Sequence, residues 1–212
     1  MPSLKISEIF VAINMTNEDW AISTSAPIML AGLYLQDPVH FKTLAPKLHR
    51  YFLSCCWKIK HLIPQKGLRE GLRGAEKWID GEITDTEFWR LEYIAEADAF
   101  AFENVESPEE IEELKRLIAS VDMLKDVSYD IAHQILMEAA YFTNSAMVYP
   151  ALNTVPYDER LCTSIFLCPE LLRKYIQPNL HGVPYKGSLD VVPKVTPLRS
   201  ALGKIKGPLP KP

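Results

Sequence analysis

The sequence predicts an all-α protein, a multi-helix bundle of antiparallel hairpins followed by an extended Pro/Lys-rich C-terminal tail. Three observations carry that expectation. Over residues 46–63, Leu48, Tyr51, Phe52, Cys55, Cys56, Ile59, Leu62 and Ile63 recur at spacings of three and four, as one apolar helix face demands. Thr84 with Glu87, and Ser107 with Glu110, form S/T-x-x-E capping boxes, each ahead of an apolar periodic run. Proline and glycine fall where helices must stop, at Asp37-Pro38, Pro64, Asp80-Gly81 and Pro150.

Taken in order, Leu4, Ile6, Ile9, Phe10 and Ile13 have mixed spacing that fits a short helix better than a strand. Thr16 is a capping hydroxyl before an acidic first turn of Asn17, Glu18 and Asp19, which predicts a second short helix carrying Trp20. Behind Ser25 and Pro27, the residues Ile28, Leu30, Leu33, Tyr34 and Leu35 read as a largely buried helix. Residues 37–46 are expected to be a loop or a single turn, with Pro46 in the first turn of the next helix.

The helix over 46–63 carries both adjacent cysteines on its apolar face. His49 and His61 fall away from that stripe, and Leu53 and Trp57 point roughly opposite it. From Lys66 a further helix bears Leu68, Leu72, Ala75, Trp78 and Ile79 and closes on Gly81 as a left-handed cap. The helix after Thr84, to about residue 102, is lined by Phe88, Trp89, Leu91, Ile94, Ala95 and Phe102. The one after Ser107 is lined by Ile111, Leu114, Leu117, Ile118 and Val121. A longer helix over 126–148 carries Ile131, Ile135, Leu136, Ala139, Phe142 and Met147. Another is predicted over 156–176, with Pro169 forcing a kink or a break.

The helical domain is therefore expected over residues 1–178. Residues 179–212, with repeated Pro, Gly and Lys, are expected to form an extended or disordered basic tail. The chain of 212 residues, 48% hydrophobic with a net charge of -4, is of a size and mixture that buries a real core. A basic, cleavable leader is not evident, and no apolar run approaches the roughly 18 residues of a membrane span, so a cytoplasmic protein without membrane contact is expected. Acidic residues dominate about residues 76–130, and the negative balance argues against nucleic-acid binding except through the basic tail.

Residues 48–63 resemble a family of all-helical bacterial proteins, abundant in planctomycetes, marked by a Cys-Cys-Arg-Arg-aliphatic-Trp-His-Leu-Leu helix. Cys55, Cys56, Lys58, Ile59, His61, Leu62 and Ile63 match that run; Trp57 stands where the family has arginine and Lys60 where it has tryptophan. The likeness continues through Ala75, Glu76, Lys77, Trp78, Asp80 and Gly81 into the capped helix at Thr84, and is strongest over residues 47 to about 88. It implies a helical fold in a cytoplasmic bacterial setting and carries over no catalytic residue.

Several side-chain constellations bear on chemistry. Cys55, Cys56, His49 and His61 would supply zinc ligands together with Cys162 and Cys168 if the C-terminal helix packed on 46–63. Helical periodicity already accounts for Cys55 and Cys56 as core. Asp130 and His133 share the i, i+3 spacing of carboxylate-bridged metal bundles, and Glu92 with Glu96 adds an acidic ridge, but only one incomplete copy of that pattern is present. No G-x-S-x-G elbow occurs, and the glycines of residues 67–74 lie within a helical pattern rather than after a strand. No catalytic residue and no cofactor is expected.

Aromatic residues off the main stripes are the remaining signal. Leu53 and Trp57 on one helix, and Trp89, Tyr93 and Phe100 on another, mark helices that are either covered on two sides or meet a partner. The expected function is a non-enzymatic protein–protein interaction or regulatory role, with a defence- or immunity-associated inhibitor as the form suggested by analogy. The alternative is a metal-binding or catalytic helical domain using Cys55, Cys56 and His61, or Asp130 and His133.

Overall fold

Helix starts follow the capping signals. In a computed structural model of the chain, which describes residues 6–101, 103, 105–149, 157–178 and 180, eleven α-helices follow one another and no strand occurs among the described residues. They are α1 (Ile6–Ile13), α2 (Asn17–Ile22), α3 (Ala26–Gln36), α4 (Pro38–Thr43), α5 (Ala45–Lys58), α6 (Lys66–Ile79), α7 (Asp85–Phe100), α8 (Pro108–Ser120), α9 (Tyr129–Val148), α10 (Glu159–Cys162) and α11 (Pro169–Tyr175). The predicted tail lies outside the described residues apart from Leu180, which is buried and donates its N–H to Asn17 Oδ1 at 3.0 Å.

Both predicted capping boxes form, and a third forms at Thr16 with Asp19. At α7 the Thr84 hydroxyl accepts from the Glu87 N–H at 3.3 Å while Glu87 accepts from the Thr84 N–H at 2.9 Å. The backbone hydrogen bond from Thr84 holds the Glu87 carboxyl below the usual carboxylate range. At the other end of α6, Gly81 has φ of 72°, and bonds from Gly81 N–H to Trp78 O and from Glu82 N–H to Lys77 O complete a Schellman cap.

Three expectations are corrected. Residues 38–43 form α4, because Asp37 accepts from the His40 N–H at 2.8 Å and Pro38 occupies the first turn. The helix over 46–63 stops at Lys58, and Lys60–Leu62 make a 3₁₀ turn. Pro64 explains this: it lacks an N–H and its ring clashes with the carbonyl four residues back, so the preceding turn tightens. The segment predicted over 156–176 with a kink or break at Pro169 is broken there, Pro169 opening α11, but the break is wider than expected: Ile165, Phe166 and Leu167 ahead of it are not helical.

α9 is the central element, packed against α5, α6, α7, α8 and α10, while α11 lies on α5 and α1 on α3. α5 is covered on more than its apolar stripe. Leu53 is 2% exposed and His49 3% exposed, so two residues expected off the stripe are buried. The reason is the number of neighbours: α9, α6 and α11 all contact α5, and a helix surrounded in this way buries several faces. No helix among the described residues is long and apolar enough to cross a membrane.

The α6–α7 hairpin closes along glycines. A Cβ on Gly67 would lie 2.6 Å from Asp98 Oδ2, on Gly71 2.7 Å from Ala95 Cβ, and on Gly74 2.6 Å from Leu91 Cδ1. The glycines thus let two helices approach more closely than side chains would permit. Ile94, expected in the core, is 43% exposed, since the buried line of α7 runs through Phe88, Glu92, Ala95 and Ala99 instead.

Candidate functional site

With α6 and α9 covering the line of Phe88, Ala95 and Ala99, the 3.6-residue period of α7 turns Trp89, Tyr93, Glu96 and Phe100 to an adjacent outward line. Tyr93 is 73% exposed and Phe100 is 42% exposed. Trp89 differs from them. It is half-buried, with its ring centroid 5.1 Å from Phe88, which itself stacks on Trp78 at 4.3 Å and 6°. The outward line is therefore anchored at its start by an aromatic stack and open toward its end.

That end opens into a cleft of about 430 Å³ between the C-terminus of α7, the middle of α9 and residues 160–165. Phe100 and Tyr141 form one wall with ring centroids 5.5 Å apart, and Phe142 and Ile165 add apolar surface. Glu103, Glu138 and Arg160 bring charge to it. Burial raises the Glu138 carboxyl above the usual range. Burial and the neighbouring Glu103 carboxylate raise the Tyr141 phenol. Glu138, Tyr141 and Arg160 were not singled out in the sequence. The signal that was present is weak: Glu138 and Tyr141 share one side of a helix at i, i+3, which says nothing of what they face.

Among the other predicted docking residues, Leu53 belongs to the main core, and this removes it from any free surface. Trp57 faces α6: its indole N–H donates to Glu76 Oε1 at 2.7 Å, and the Arg73 guanidinium lies 5.9 Å from its ring centroid.

The metal-ligand candidates are dispersed. α11 does pack on α5, which places Cys168 beside Cys55 and Tyr51, and Lys58 Nζ donates to Cys168 Sγ at 3.2 Å. Cys56 instead turns toward Thr143 on α9, and Cys162 lies near Tyr149 and Asp158. Burial pushes the Cys55 thiol up to about 12 and raises Cys56 and Cys162 as well. His61 is on the 3₁₀ turn with Nε2 3.0 Å from Met123 Sδ, and burial followed by the Lys60 charge lowers its pKa. Asp130 is exposed, and the His133 ring lies 5.9 Å from Tyr129. Among the described residues, no three His, Cys, Asp or Glu side chains are grouped so as to hold a metal ion.

His49 is a polar group inside the core. Its Nε2 donates to the Met147 carbonyl at 3.1 Å, which satisfies one of the last carbonyls of α9, and burial lowers its pKa to about 4. The tie between α5 and α9 is therefore made by a neutral imidazole. Glu92, also within a buried line, has its carboxyl raised by burial and then by Glu96.

No model of a known protein family matches the chain, and neither the curated proteins nor the solved structures contain a match. Fold and geometry together define a helical bundle with one aromatic, acid-rich outward face.

Proposed function

We propose that this chain is a non-enzymatic binding protein that engages another protein through the outward face of α7. The observation that carries the reading is Tyr93: an aromatic side chain, 73% exposed, on the same line as Phe100 and leading into a cleft. Exposed aromatics on a rigid helix lose little side-chain entropy on contact and are the residue type most enriched at the centre of interfaces. The face is also acidic: Glu96 lies on it and Glu103 follows it, which steers toward a positively charged partner surface.

Cytoplasmic placement fits this reading, because four free cysteines suit a reducing compartment. The resemblance of residues 47–88 adds a bacterial setting, and by analogy with small acidic inhibitors the role is regulatory or defence-associated. A photo-crosslinking residue placed at Tyr93 tests the docking face in cells of the native source. One predominant cross-linked protein, absent when the same residue is placed at Glu109 on α8, supports it. Equal capture from both positions, or cross-linking only between copies of this chain, overturns it.

A further inference from the structure

We propose that Lys58 and Cys168 are a modification site at which dioxygen joins the two side chains through an N–O–S bridge, tying α11 to α5. The two groups already touch: Lys58 Nζ donates to Cys168 Sγ at 3.2 Å, across 110 residues of chain. The sulfur in turn donates to Glu170 Oε2 at 3.0 Å, so amine, thiol and carboxylate form one chain of hydrogen bonds. Glu170 can take the thiol proton while the lysine holds the thiolate that results. Arg173 also approaches Glu170, but at 3.9 Å it lies farther away than the thiol. Lys58 is exposed and Cys168 is 8% exposed, so a small oxidant reaches both. Cys55 lies beside Cys168 as well, but burial pushes its thiol up to about 12, which withholds the thiolate that disulfide formation needs.

The reaction takes one thiol, one amine and one dioxygen to the bridge and one water. The O–O bond breaks; one oxygen forms new bonds to Sγ and Nζ, and the other leaves as water with the thiol proton and one proton of the amine. Sulfur and nitrogen each give up two electrons, and dioxygen accepts the four. Contact between the reacting atoms supplies the proximity such a coupling requires, so the site is the pair rather than the cysteine alone.

The test is intact-mass spectrometry of the full chain, purified under reductant and then held in air-saturated, mildly alkaline buffer. Bridging should add one oxygen and remove two hydrogens, and fragmentation should find the peptide of Lys58 joined to that of Cys168. Dithiothreitol should break the S–O bond and return the Cys168 thiol. The melting temperature should rise by about 5 °C on bridging and fall back on reduction. Lys58→Arg and Cys168→Ser should each abolish the mass change, and Glu170→Gln should slow it at least about tenfold. Loss of two hydrogens without gain of oxygen, as in a Cys55–Cys168 disulfide, overturns the inference. So does oxygen added to Cys168 alone, a mass change that survives Lys58→Arg, or no mass change even in dioxygen-saturated buffer.

Discussion

The indole N–H of Trp57 donates to Glu76 Oε1 at 2.7 Å, joining α5 to α6. Trp57 is half-buried, and Arg73 covers its ring. The side chain that looked free in the sequence is thus a tie within the bundle. Trp57→Phe removes the donor together with part of the half-buried indole surface, so it should lower stability by about 1–2 kcal/mol in urea unfolding. Glu76→Ala should add little to that loss in the double variant, because both changes break the same bond. Fully additive losses would show that the two side chains act independently.

His49 predicts a pH dependence. Its pKa falls from 6.5 to about 4 on folding, through burial, so between these values the unfolded chain binds the extra proton. The associated stability is complete above pH 6.5 and is lost as pH falls toward 4. Between pH 6.5 and 5, before most carboxylates titrate, unfolding free energy should drop by about 2 kcal/mol. A His49→Gln variant should lack this slope, and an identical slope in the variant would assign it to other groups.

Two glycines of α6 should respond differently to alanine. Alanine favours a helix over glycine by about 1 kcal/mol. At Gly71 the new Cβ would meet Ala95 Cβ at 2.7 Å, an atom that moves only with the α7 backbone, so Gly71→Ala should destabilise by about 2 kcal/mol. At Gly74 the obstacle is the Leu91 Cδ1 end of a rotatable side chain, and Gly74→Ala should be near neutral. Chemical denaturation of the two variants decides the order.

Thiol chemistry is the fourth expectation. Cys55, pushed to about 12, and Cys56 and Cys162, both raised by burial, are withheld from reaction at pH 8. Titration of the native protein with an aromatic disulfide should leave these three unmodified, and denaturant should release them. Rapid native labelling of Cys56 would contradict its packing against α9.

Much of the local structure was legible in advance. Thr84, Ser107 and Gly81 act through hydrogen bonds to atoms three to five residues away, so their caps are written where they are used. Pro64 acts over a single turn, and its effect on residues 59–62 follows from the same local sterics once its reach is counted. The break at Pro169 was written in the proline, but its width was harder, since Ile165, Phe166 and Leu167 are apolar enough to continue a helix and are held out of one by turns around Ser164.

The sequence by itself determined the fold class, the ends of most helices and the apolar stripe of α5, because capping and periodicity depend on neighbours along the chain. Only the tertiary structure decided which further faces were covered. It buried Leu53 and His49, turned Trp57 onto Glu76, separated Cys56 from Cys168, and left Tyr93 outside. It also assembled Phe100, Glu138 and Arg160 into one cleft from three different helices. Periodicity identifies a face that avoids water, whereas the number of helices that pack around it is fixed by surfaces far apart in the chain, and that number separates a core residue from an exposed one.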